Sequence, residues 1–143
     1  MNARQKVTNY RQKIFRFCER IVGEPILEKG RTTMAHKFLS IKTKRATEKI
    51  FLDDIIYIEK DRSRAKLITV DKERIIYSNM QDIRRHMDER FLSCHRSYLF
   101  NMDKIICMTN QTIYMEQGYQ TQLGRETFRR GRRMFDQYLD KSL

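Results

Sequence analysis

The chain has 143 residues, a formal net charge of +12 and 34% charged residues, with a pI near 9.9. That length allows one ordinary domain with an appendage and excludes two full domains. No stretch approaches the roughly 18 consecutive apolar residues of a membrane span, and Met1 to Lys13 is polar and basic without an apolar signal-peptide core, so a cytoplasmic protein is expected. The basic surface favours a polyanionic partner, nucleic acid first and anionic membrane second.

Three cysteines, Cys18, Cys94 and Cys107, make an odd and scattered set. They predict neither a disulfide framework nor a zinc site, and no metal or other cofactor is expected.

In chain order, Val7, Tyr10, Ile14, Phe17 and Ile21 recur every three or four residues, which predicts an amphipathic helix over Ala3 to Val22. Gly23-Glu24-Pro25 stops it, and Glu28 to His36 reads as a linker. Residues 1–36 thus form a helical appendage that could pack on the domain, pair with its copy in a dimer, or dock a sensor or other partner protein.

From Lys37 the period falls to two. KFLSIKT, TEKIF, IIYIEK, AKLITV and RIIYS are short β-branched and aromatic runs, with hairpin loops at Lys44-Arg45 and Asp71-Lys72-Glu73 and a turn at Asp53-Asp54. Ser78 to Asp88 is expected to be one helix, capped by Ser78 with Gln81 and carrying Met80, Ile83 and Met87 on one face. Strands IICMT and TIYME follow around Asn110-Gln111, then YQTQL after Gln117-Gly118. From Arg125 the apolar positions return to helical spacing, and Gly131 marks a weak point where this last helix could be interrupted.

No catalytic constellation can be assembled. Walker A, dinucleotide-binding glycine and HExxH patterns are lacking, and Cys94 and His95, adjacent on an extended segment, point to opposite faces, so an enzyme is not expected. Three basic clusters favour binding instead: Arg62, Arg64 and Lys66 between two strands; His95 and Arg96; and Arg125, Arg129, Arg130, Arg132 and Arg133. Arginine's planar fork suits phosphate and the O6/N7 edge of guanine. Each cluster alone reads more readily as a solvated face, and only their convergence would favour an interface. Without a second helix beside Ser78–Asp88 there is no helix-turn-helix, so recognition must use loops.

Three segments resemble one family. DDIIYIE (Asp53 to Glu59), FLSCHRSYLFNMDKI (Phe91 to Ile105) and Gly124-Arg125 after YQTQL are similar to the signature of the bacterial LytTR DNA-binding domains, over about Lys37 to Tyr138. The resemblance implies a mainly β fold, an elongated assembly of small antiparallel β-sheets with one short inner helix and a C-terminal helix, here as domain 37–143. It implies a sequence-specific transcriptional regulator of double-stranded DNA that inserts loops into successive major grooves at promoter direct repeats, two copies together. Carried over by position, Arg96, Ser97 and Asn101 beside His95 are expected on DNA, Arg125 reads bases with Arg129 near it, and Asp61–Lys66 is the first contacting loop. Ala65 stands where some members place a base-reading histidine, so Arg64 or Lys66 would substitute.

Family members often form the output half of a two-component response regulator, and residues 1–36 are too short for its receiver domain. A free-standing regulator is expected, or a fragment whose helix is a receiver's tail. Cys94, beside His95 and Arg96, could be an oxidisable thiol, although a buried inert one is the favoured reading. The rival from another class is a basic RNA-binding or ribosome-associated protein, against which stands the lack of an RNP-like aromatic pattern.

Overall fold

A computed structural model describes residues 37–142. The helix expected over Ala3 to Val22 and its linker therefore lie outside the described residues. The chain divides into two compact units at Asp54/Ile55.

In the first unit, β1 (Phe38–Lys42) and β2 (Thr47–Phe51) form an antiparallel hairpin, Leu39 opposite Ile50, followed by a 3-10 turn at Leu52–Asp54. The hydroxyl of Thr43 accepts from the N–H of Arg45 and of Ala46, an ST-type turn that closes the Lys44-Arg45 loop.

The second unit holds two antiparallel sheets and two helices. β3 (Ile55–Asp61), β4 (Arg64–Thr69), β5 (Glu73–Ile76), β6 (Phe91–His95) and β7 (Tyr98–Asn101) make a five-stranded sheet in the order β5-β4-β3-β7-β6. β8 (Ile105–Thr109), β9 (Thr112–Met115) and β10 (Gln120–Gln122) make the second, in the order β10-β9-β8. Both Asn110 and Gln111 have positive φ, 52° and 60°, as a two-residue hairpin turn matched to strand twist requires.

β3 is the central strand. Ile58 faces Leu67 of β4 on one side and Leu99 of β7 on the other, and Ile55, Ile56 and Ile58 are fully buried. One core then gathers Ile56, Ile68, Leu92 and Phe100 from this sheet, Met108, Ile113 and Met115 from the second, and Phe128 and Phe135 from the last helix.

The inner helix is shorter than its sequence suggests. α1 spans Met80–Arg85, and its cap is Asn79, whose Oδ1 accepts from the Asp82 N–H at 2.8 Å. Ser78 and Gln81 do not form the expected box, because an asparagine one residue later serves the cap position at least as well. The N–H groups of His86 and Met87 bond three residues back, to Ile83 and Arg84, and this tightening ends the helix before Asp88.

α2 spans Arg125–Ser142, 18 residues without a break, so the interruption anticipated at Gly131 is absent. Phe128, Gly131, Phe135 and Tyr138 share one face, and the helix packs on β6. A Cβ at Gly131 would lie 3.0 Å from Cys94 Sγ and 3.3 Å from Cys94 Cβ. Glycine is thus a packing choice: it lets helix and strand approach closely.

Asn101 is fully buried. Its Nδ2 donates to the Ile55 carbonyl at 2.8 Å and its Oδ1 accepts from the Asp103 N–H at 3.0 Å, tying the end of β7 to the start of β3.

Two stability predictions follow from these contacts. Gly131→Ala gains about 1 kcal/mol of helix propensity but overpacks the β6 contact at a cost of roughly 1–3 kcal/mol; urea unfolding should show no net gain, and the cost should shrink in a Cys94→Ala background. Asn101→Ala strands a buried carbonyl and an N–H, which should cost on the order of 2–4 kcal/mol; an unchanged urea midpoint would remove Asn101 from the framework.

Candidate nucleic-acid interface

Because β3 pairs with both β4 and β7, the β3–β4 turn (Arg62-Ser63) and the β6–β7 turn (Arg96-Ser97) leave the same end of the sheet. The Lys60 N–H donates to the Ser97 carbonyl at 2.8 Å, which fastens one turn to the strand that leads into the other. Arg62 and Arg96 are exposed.

The remaining residues of the first cluster are partly committed. Arg64 donates to Asp61 at 2.6 Å, and its guanidinium is pushed up by hydrogen bonding to Tyr77 first and Asp61 second. Lys66 lies between Glu59 at 3.7 Å and Glu73 at 4.0 Å. Both belong to β4, so the segment expected to be a contacting loop over Asp61–Lys66 is a two-residue turn and the start of a strand. Ala65 is fully buried opposite Lys60 and Ile76, and the base-reading position assigned to it by resemblance faces the interior.

The β6–β7 turn is braced from within and without. His95 Nδ1 accepts from the Ser97 N–H at 3.0 Å, which in the neutral ring leaves the proton on Nε2. Arg84 of α1 donates from Nε to Ser93 Oγ at 3.0 Å and from Nη2 to the carbonyls of His95 at 3.2 Å and Arg96 at 2.8 Å. Arg130 of α2 donates to the Cys94 carbonyl at 2.6 Å. Three successive carbonyls, from Cys94 to Arg96, are therefore held by guanidinium groups of the two helices. Arg84 had no visible signal in the sequence, since it sits among other charged residues of a short helix.

Asn101 and Cys94 of the signature segment are both structural groups, which departs from the DNA contact expected of Asn101 and agrees with the buried thiol favoured for Cys94. Asn101 is at the far end of β7 and has no route to a ligand, because it is buried and bonded to backbone. Cys94 is buried, and burial pushes its thiol up, with nearby Arg130 opposing, so it is an inert packing group against Gly131.

The third cluster lies along α2. Arg125, Arg129, Arg132 and Arg133 line an open cleft of about 580 Å³ together with Asn110 and Gln111 of the β8–β9 turn, Phe128 and Asp136. Arg129 is 3.6 Å from Glu126. The direction of α2 places this row relative to the turns: Gly131 meets Cys94 of β6, while Tyr138 hydrogen-bonds Asp103, just past β7. α2 thus runs opposite to β6, and its first turns lie toward the Arg96 end.

Among the described residues, no group of His, Cys, Asp or Glu is arranged to hold a metal ion, and no helix is long and apolar enough to cross a membrane.

The comparisons with known proteins agree with this architecture. The model of the LytTr DNA-binding domain family matches residues 45–136. Among solved structures, the chain is similar to the LytTr DNA-binding domain of a protein described as a methyl-accepting/DNA response regulator from Bacillus cereus, at 16% identity and a TM-score of 0.59, covering 68% of this chain and 95% of that one. No curated protein matches the sequence. With the family model spanning well over half of its 143 residues, the chain belongs to the LytTr DNA-binding domain family.

Proposed function

We propose that the protein is a transcriptional regulator that binds double-stranded DNA sequence-specifically at promoter direct repeats. The observation that carries this reading is the pairing of β3 with β4 and β7, which sets the Arg62-Ser63 and Arg96-Ser97 turns side by side. A two-stranded ribbon fits the major groove, which is about 12 Å wide. Arg62 and Arg96 at the turn tips, with Ser97 beside them, are the groups that enter it. Arg125, at the start of α2, is the second base-reading residue, and Arg129 accompanies it. Arg64 and Lys66, half-buried in their ion pairs, contribute charge from behind the tip. His95 positions the turn through Ser97.

The mechanism divides affinity from specificity. Phosphate neutralisation releases counterions and supplies most of the binding, so affinity should fall steeply with salt. Discrimination comes from the few side chains that reach base edges. A response-regulator context, as described for the Bacillus cereus relative, would make this the output half of a signalling pair, with residues 1–36 as the segment that meets a partner.

Selection of bound duplexes from a random pool should recover a direct repeat. On that duplex and a scrambled one, fluorescence anisotropy should show Arg96→Ala and Arg125→Ala each narrowing the free-energy gap by roughly 1–3 kcal/mol; an unchanged gap for both sinks the site assignment. Arg84→Lys keeps the charge and loses the fork, and should cost on the order of 1–2 kcal/mol on the selected duplex. In an Arg96→Ala background the same change should cost almost nothing, and additive losses would mean that Arg84 does not work through Arg96.

A further inference from the structure

Arg132 and Arg133 lie beyond the base-reading positions proposed at Arg125 and at the two turns. Both are exposed, both line the cleft with Arg125 and Arg129, and the only carboxylate in that lining is Asp136. Even with Glu126 beside Arg129, four guanidinium groups against two carboxylates is a cationic surface, and nothing in the fold requires it: the buried face of α2 is made by Phe128, Gly131 and Phe135.

Spacing indicates what such a row fits. Arg125 to Arg133 is eight residues of helix, about 12 Å along the axis. One strand of B-DNA rises 3.4 Å per phosphate along the duplex axis and also winds about it, so consecutive phosphates lie about twice as far apart along the strand and the row runs alongside about two or three of them. Asn110 and Gln111 close the other wall of the cleft from a rigid two-residue turn, and Asn110 adds an amide donor of the kind that also reaches phosphate oxygens.

We propose that the cleft between α2 and the β8–β9 turn is a track for the sugar-phosphate backbone of one DNA strand, in which Arg132 and Arg133 each neutralise a phosphate without reading sequence. This rests on the DNA-binding reading above and extends the interface along the C-terminal helix beyond Arg129. The chemistry of the site is that of a run of phosphates, and a free polyphosphate anion is the other source that could supply it.

The test uses the full chain, the selected duplex and its scrambled counterpart across a series of KCl concentrations. Arg132→Ala/Arg133→Ala should flatten the plot of log affinity against log salt by about 1.8. The affinities for the two duplexes should fall by the same factor, and Arg132→Lys/Arg133→Lys should restore the slope. A slope unchanged in the alanine pair, or a loss confined to the selected duplex, overturns the proposal. So does a result in which the alanine pair abolishes thermal stabilisation by inorganic pyrophosphate while leaving the DNA slope intact. If the wild-type chain itself shows no salt-dependent duplex binding, the DNA-binding reading has failed. If it binds and Arg125→Ala narrows the gap while the slope of the alanine pair stays at the wild-type value, only the backbone track has failed.

Discussion

The double pairing of β3 is the constraint on which the second unit depends. A strand hydrogen-bonded along both edges has no freedom of register, because a one-residue slip would turn Ile56 and Ile58 to the opposite faces. Its two neighbours inherit that rigidity. The turns that join β3 to β4 and β6 to β7 are short, and the Lys60–Ser97 hydrogen bond continues the ladder to their base. The backbone at the two tips is therefore fixed in relative position, and the exposed Arg62 and Arg96 side chains start from neighbouring points. Asn101 extends the same constraint to the other end of the pair by binding the Ile55 carbonyl.

A second level of organisation lies in how arginine is divided. Arg84 and Arg130 spend their donors on the carbonyls of Cys94, His95 and Arg96, and the Arg90 side chain holds Asp88 at 2.9 Å. These groups act inward. Hydrogen bonds from charged donors are worth about 1.5–3 kcal/mol each when buried or partly buried, so such residues stabilise the turn more than they attract a ligand. β6 is also an edge strand, and Arg130 occupies the carbonyl of its Cys94. Arg62, Arg96, Arg125, Arg132 and Arg133 point the other way. Net charge alone does not distinguish the two sets, which is why a pI near 9.9 is a weak argument until geometry sorts the cations.

Much of this was legible in the sequence where the signal is local. Period-two runs and Asn-Gln or Asp-Lys turns marked eight of the ten described strands to within a residue or two, since β-branched side chains and turn chemistry act on neighbouring residues; β6 and β7 were read only as the signature segment. What failed depended on contacts distant in the chain. Gly131 reads as a helix breaker until Cys94, 37 positions earlier, is seen against it. Asn101 reads as a contact residue because its signature is polar, and burial is invisible in a linear pattern. Arg84 clamps a turn nine to twelve residues away. The α1 cap was missed by one position because Ser78 and Asn79 are both capable caps and only the fold selects between them.

Strain at one turn bears on which tip matters most. Arg62 has φ of 59°, a left-handed conformation that costs an ordinary L residue on the order of 1 kcal/mol. Two-residue hairpin turns with positive φ at the first central position take glycine most comfortably, because no Cβ collides with the backbone. Of the other positive-φ positions among the described residues, Gly118 uses glycine, with φ of 81°, while Asn110, Gln111 and Gln117 are amide side chains, a class that includes the αL-tolerant asparagine. At position 62 the chain carries instead a long cationic side chain at the outermost point of the β3–β4 hairpin, with its charge directed to solvent. Strained backbone persists where the surrounding structure over-determines it, and such positions gather at functional surfaces. The sheet supplies that determination through β3, so the strain at Arg62 is carried by the same ladder that aligns it with Arg96.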